Sequence, residues 1–131
     1  MGAVKLLLDT HAFYWWCIDD PALSLTARTA IADTRNEKYV SAITAWEFII
    51  KFRSGKEPGF SHIAADVSGA VAAQGLTELA ITMRHAEVAA SLPLHHKDPM
   101  DRLLIAQAII EDMTIVTIDG IFTSYETKII W

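Results

Sequence analysis

A single cysteine, Cys17, stands in 131 residues, so no internal disulfide can form and no zinc site can be built from thiolates. Its setting in the apolar stretch 12–18 predicts a buried, inert thiol. Long hydrophobic runs are also missing, and none approaches the ~18 residues that span a bilayer. The apolar start is interrupted at Asp9 and His11, which argues against a secretory signal, and Leu6 in sixth place does not fit a myristoylation pattern. The expectation is a cytoplasmic protein with no membrane partner. Basic residues are few, 11 against 16 acidic ones, and the net charge of −5 argues against a constitutive, non-specific nucleic-acid binder. No G-x-G-x-x-G follows the first apolar run, which removes the phosphate cradle of a dinucleotide-binding oxidoreductase. Repeats, low-complexity tracts and linkers are absent as well, so residues 1–131 are expected to form one domain. Apolar and aromatic residues make up 52% of the chain, too many for disorder and enough for a substantial core.

What is present is an alternation of short β-runs and amphipathic segments. Strands are expected over 4–8, 38–42, 77–81, 114–118 and 127–130. Helices are expected over 11–18 with Thr10 as N-cap, over 25–34 behind Ser24, and over 44–53 up to Gly55. A turn at Pro58-Gly59 leads to an Ala-rich helix from Ser61 to Gly75. Thr82 caps a helix ending near Ser91 and Pro93, residues 95–98 form a loop, and Pro99 opens the longest helix, to about Asp112. A short turn or helix covers 120–125. This order implies an α/β fold, a three-layer α/β/α sandwich around a central, mostly parallel sheet. In such sheets the functional crevice lies beyond the carboxyl ends of the strands.

Four acids fall where that edge should be. Asp9 ends the run Leu6-Leu7-Leu8, and Asp119 ends the run Ile115-Val116-Thr117-Ile118. Glu47 and Asp101 lie within apolar helices. Each also has an ordinary structural reading. Asp9 can end a strand and Asp119-Gly120 can be a turn. Glu47 can be a surface partner of Lys51 four residues on. Asp101 can simply favour a helix N-terminus, although it shares a stripe with Leu104, Ile105 and Ala108, while Gln107 and Glu111 mark the expected wet side. Asp98 before Pro99 reads first as a helix cap. The topology would bring the four acids to one edge, and gathered carboxylates repel unless a cation joins them. A hard divalent cation, with its preference for oxygen ligands, is the natural candidate. The four carry −4 of the −5, leaving −1 for the rest of the chain.

On these residues the chain resembles PIN-domain ribonucleases, most closely the VapC-type toxins of prokaryotic toxin–antitoxin pairs. The matching segments are Leu6-Leu7-Leu8-Asp9-Thr10-His11-Ala12 with Trp15-Trp16, Ser41-Ala42-Ile43-Thr44-Ala45-Trp46-Glu47, the run from His96 through Asp98-Pro99-Met100-Asp101-Arg102 to Ala108, and Thr117-Ile118-Asp119 with Phe122. The family's acidic quartet falls on Asp9, Glu47, Asp101 and Asp119. The resemblance implies Mg²⁺ or Mn²⁺ at these acids, hydrolysis of single-stranded RNA, a small antitoxin as partner and a homodimer. Asp9 and Asp101 would be the direct ligands, with Glu47 and Asp119 holding metal-bound water or a second ion. The segment Gly120-Ile121-Phe122 departs from the more polar residues common in close relatives.

Around the acids, Thr10 could bond a ligand carboxylate and Asp98 could support the site. Lys51, Arg53, His96 and Arg102 are candidate RNA contacts, each also readable as a solvated side chain. Trp15 and Trp16 are adjacent, so one is expected in the core and the other is free to meet a partner. Two rival readings remain at this level. One is a non-catalytic partner-binding module on the same fold. The other is a receiver-like signalling domain, which would need a phosphoacceptor Asp after the middle strand and a Lys after a late one. Here the third β-run ends Ala80-Ile81-Thr82, and no Lys follows Ile118.

Overall fold

The computed structural model describes residues 2–95 and 97–131. Among them lie five strands: β1 (Lys5–Leu8), β2 (Glu37–Ser41), β3 (Thr77–Leu79), β4 (Thr114–Val116) and β5 (Lys128–Ile130). The helices are α1 (Thr10–Cys17), α2 (Leu25–Ala32), α3 (Ala42–Arg53), α4 (Ser61–Ala65), α5 (Val67–Ala73), α6 (Met83–Ser91) and α7 (Pro99–Glu111), with 3₁₀ turns at Pro58–Phe60 and Gly120–Tyr125. The strands pair in the order β3-β2-β1-β4-β5, every pairing parallel. Sequence order runs outward from β1 in both directions, so the switch point lies between β1 and β4. A receiver domain would place its third strand beside the first. Here β3 is an edge strand, which removes that rival.

Period-two alternation divides the core into two layers. Leu6, Leu8, Val40 and Val116 face Phe13, Ala27, Ile31, Phe48, Ile63 and Val71 from the helices before β3. Leu7 and Ile115 face Leu104, Ile105 and Ala108 of α7 together with Phe122 and Tyr125. The result is the expected three-layer α/β/α sandwich, with a wholly parallel sheet. Among the described residues no helix is long and apolar enough to cross a membrane.

Local chemistry explains most boundaries. Ser24, Ser41 and Thr82 each accept a bond from a backbone N–H in the first turn of the helix that follows. Gly55, at φ 79°, lets the chain leave α3 through the left-handed region. Three expectations need correction. The helix expected from Ser61 to Gly75 is two helices, because Asp66 interrupts it and its carboxylate caps α5 through Gly69 N–H. Thr10 does not cap α1; Asp9 does, with Oδ1 accepting Ala12 N–H at 2.8 Å. Gln107 is not on a wet side. It is fully buried, donating from Nε2 to the Ala80 carbonyl at 3.3 Å, because α6 covers the flank of α7 that the helical stripe left polar.

Asp98 does cap α7, its carboxylate accepting Met100 N–H at 2.9 Å ahead of Pro99. Asp98→Ala should therefore cost about 0.5–2 kcal/mol of unfolding free energy in urea titration. Mn²⁺ affinity should change little, and a loss equal to that of Asp101→Asn would mark Asp98 as a ligand as well as a cap.

Candidate metal centre

The switch point opens into a cavity of about 350 Å³ at the carboxyl ends of β1 and β4. Asp9, Glu47, Asp101 and Asp119 all line it, and so does Asp98. Asp9 arrives from the end of β1, where its N–H donates to the Val116 carbonyl at 3.1 Å. Burial raises its carboxyl above the ordinary value of 3.8. Bonds from the Thr117 hydroxyl and from Ala12 N–H, and the nearby His11, oppose that rise, while Glu47 adds to it.

Thr117 is the residue that sequence reasoning missed. It is fully buried, donates to Asp9, and accepts the backbone N–H of Asp119 at 3.0 Å. One hydroxyl thus links two of the acids. Its signal in the sequence is weak, a threonine two residues before an aspartate. The β1–β4 register, with Leu8 opposite Val116, is what sets Thr117 beside Asp9.

Glu47 enters from α3, which is anchored by the buried Thr44 and Phe48. Its Oε1 accepts the Thr10 hydroxyl at 2.8 Å, and its Oε2 pairs with Lys51 Nζ at 3.2 Å. The expected bond from Thr10 to a site carboxylate is therefore present, with Glu47 as the acceptor. Asp101 lies half-buried in the first turn of α7. Asp119 is exposed and caps the 3₁₀ turn, its Oδ1 accepting Ile121 N–H at 3.0 Å.

Apart from His11, whose Nε2 is paired with Glu57, the candidate ligands lining the cavity are carboxylate and hydroxyl oxygens, a set that suits Mg²⁺ or Mn²⁺. Among the described residues no three acidic, histidine or cysteine side chains converge closely enough to hold one ion by themselves. A cation there would take one or two carboxylates directly and reach the others through water.

Other expectations divide. Lys51 lines the cavity; Arg53 is exposed at the end of α3 and does not. Arg102 is a correction. It is 7% exposed, and its guanidinium donates to the carbonyls of Leu92 at 2.7 Å and Pro93 at 3.0 Å. It ties α7 to the end of α6 and is not placed to meet RNA. His96 lies outside the described residues, and the His95 ring packs 5.2 Å from that of Tyr125. His11 borders the cavity with Nε2 3.3 Å from Glu57 Oε1. Trp15 and Trp16 do not divide between core and surface: both are half-buried against the first core layer, Trp15 beside Trp131. Cys17 is half-buried too, and burial pushes its thiol up to about 11, so it is inert at neutral pH.

Comparison with known proteins bears on this arrangement. No curated protein matches the chain. Among solved structures, VapBC2 from Rickettsia felis, bound to a DNA fragment from its promoter, matches with a TM-score of 0.70 at 15% identity, over 95% of this chain and 96% of that one. FitAcB from Neisseria gonorrhoeae matches with a TM-score of 0.61 at 21% identity, over 95% of both chains. FitAB bound to the IR36 DNA fragment matches with a TM-score of 0.62 at 21% identity, over 95% of this chain and 92% of that one. At these identities the likeness speaks for the fold. The PIN domain family model matches residues 6–128, a span that holds all four acids and the strands that carry them, and so the chain belongs to the PIN-domain family, whose members are generally nucleases.

Proposed function

We propose that this chain is a metal-dependent endoribonuclease of the VapC type, cutting single-stranded RNA and restrained by a small antitoxin. The observation that carries the reading is the cavity lined by Asp9, Glu47, Asp101 and Asp119, with Asp9 half-buried and its carboxyl raised by desolvation. A partner-binding module gives no reason to collect these acids and to raise one carboxyl by burial. The whole chain is read as one such domain acting in the cytoplasm.

Asp9 and Asp101 would hold Mg²⁺ or Mn²⁺ directly, and Glu47 and Asp119 would accept hydrogen bonds from its waters. The ion would supply a water of lowered pKa and relief of charge on the phosphate. The protein's own contribution is orientation. Ala12 N–H and Thr117 fix Asp9, Thr10 fixes Glu47, and Ile121 N–H fixes Asp119. Leu104, Ile118 and Phe122 form the apolar part of the lining beside them. Lys51 and Arg53, on the last turn of α3, would draw the RNA backbone toward the acids.

The antitoxin is supported by two observations. The similar structures named above include VapBC and FitAB assemblies. On this chain, α3 exposes Trp46, Ile49, Ile50 and Phe52 on the helix that carries Glu47 into the cavity. The aromatic residues of α1 offer less surface, since Tyr14, Trp15 and Trp16 are half-buried against the core. An apolar segment lying on α3 would be well placed to put a cation among the acids. Co-purification from the native host should yield a stoichiometric complex with a short second protein that suppresses cleavage. A lone chain at every expression level would count against the antitoxin, and a mass of twice the chain would assign the face to a homodimer.

The purified chain should cut single-stranded RNA with Mg²⁺ or Mn²⁺ and lose all cleavage in excess EDTA. Asp101→Asn should abolish cleavage and Mn²⁺ binding while the metal-free melting temperature holds or rises, because one repelling charge is removed. Cleavage undiminished in EDTA would overturn the mechanism.

Asp9 gives a pH test. Its raised carboxyl means that the folded chain holds the proton more tightly than the unfolded one, so the associated stability is present below pH 3.8 and lost as pH rises through the folded value. Asp9→Asn keeps an oxygen for Ala12 N–H. In EDTA at pH 7 it should match or exceed the wild type in melting temperature, and the gap should close on acidification. A large loss at pH 7 would instead mark Asp9 as a structural acid.

A further inference from the structure

Among the described residues, Lys51 is the one lysine or arginine that lines the acid cavity. An ammonium cannot ligate a metal ion and repels one, so its presence among the acids needs a different explanation. An exposed Glu–Lys pair four residues apart on a helix would be ordinary. This pair is not such a surface contact. The Glu47 side chain is only 17% exposed, and its second oxygen is held by Thr10, which is buried and lies 3.4 Å from the Thr44 hydroxyl. Both oxygens of the carboxylate are therefore engaged, and a chain of three side chains from two helices fixes where the Lys51 ammonium sits. An ammonium has three N–H donors, and the carboxylate oxygen at 3.2 Å takes one. The others are available to an anion entering the cavity.

We propose that Lys51, held in place by Glu47 and Thr10, is the residue that binds the RNA phosphate inside the acid cavity. The proposal rests on the reading of the cavity as a ribonuclease site, and it gives Glu47 a second role as the positioning residue for that cation. The remaining basic residues of this stretch, Arg53 and Lys56, are exposed and lie outside the cavity lining, so they act on the nucleic acid only as general charge. His11, the other basic group on the wall, is paired with Glu57. The same arrangement sets a balance of charge. The cation relieves the repulsion that the acids impose on a polyanion, and its carboxylate partner is Glu47.

The test compares two variants that lose the same charge in different places. Binding of a fluorescein-labelled single-stranded RNA is followed by anisotropy with Ca²⁺ replacing Mg²⁺, over a range of salt. Lys51→Met should weaken binding about tenfold, the effect of losing one charged hydrogen bond to phosphate. It should also flatten the slope of log K against log salt by about 0.7, one single-strand phosphate contact. Arg53→Met should weaken binding less than about threefold, and Lys51→Arg should restore most of the loss. Mn²⁺ affinity of Lys51→Met should stay level or rise. In Mg²⁺, its KM should increase more than its kcat falls. Equal weakening by Lys51→Met and Arg53→Met would overturn the proposal, as would unchanged binding in Lys51→Met. So would a fall in Mn²⁺ affinity, which would show that Lys51 acts only by orienting Glu47 toward the ion. A wild-type chain that binds no RNA would remove the ribonuclease reading itself, whereas wild-type binding with an indifferent Lys51→Met removes this assignment alone.

Discussion

The parallel pairing of β1 with β4 is the contact on which the site depends. It sets Leu8 opposite Val116, so the next residues on the two strands, Asp9 and Thr117, meet at the switch point. Both strands are buried, which fixes the register: a shift by one residue would move Leu6, Leu7 and Leu8 to the wrong layers. The register that stabilises the core is thus the one that holds a carboxylate in a poorly hydrated place. The hydroxyl of Thr117 and the N–H of Ala12 partly offset the cost of that burial, and a divalent cation would offset more.

Three of the acids lining the cavity also begin helical segments: Asp9 for α1, Asp98 for α7 and Asp119 for the 3₁₀ turn. Structural and functional readings of these residues are therefore not alternatives. A capping carboxylate accepts a backbone N–H, and that bond orients it more firmly than a side chain free to rotate. It also lies at the positive end of a helix, which favours its charge. The fold brings these helix starts to one edge because each follows or faces the carboxyl end of a strand. Glu47 is the exception. It sits mid-helix and is oriented instead by Thr10 and Lys51.

Behind α7 lies a polar layer that has no part in the cavity and steadies one of its walls. Arg102 reaches the carbonyls that end α6, and Gln107 reaches the Ala80 carbonyl. His85 completes a capping box at the start of α6. Its Nδ1 accepts Thr82 N–H at 3.0 Å, so its Nε2 carries the hydrogen donated to Glu111 at 2.9 Å. A buried imidazole paired with a carboxylate invites a catalytic interpretation, but these contacts account for both ring nitrogens. The helix presenting Asp101 is thereby packed on two sides, one against the sheet and one against α6.

The sequence by itself determined the parallel sandwich, the order of its elements apart from the division of the helix over 61–75, and which four acids would reach one edge of the sheet. Those properties are local: alternation marks strands, Ser, Asp and Thr before apolar runs mark helix starts, and an acid after a run of leucines marks a strand end. The tertiary structure decided what depends on neighbours distant in the chain. Arg102 and Gln107 look exposed on a helical projection of α7 alone, and only the packing of α6 buries them. Thr117 gained its role from strand register, and Thr10 lost the cap to Asp9 while gaining Glu47, which lies 37 residues away. Lys51 reads as a surface partner until burial of Glu47 and the bond from Thr10 fix its ammonium at the cavity. Periodicity reports which residues share a face of one element, whereas burial and partner choice depend on what the rest of the chain brings against that face.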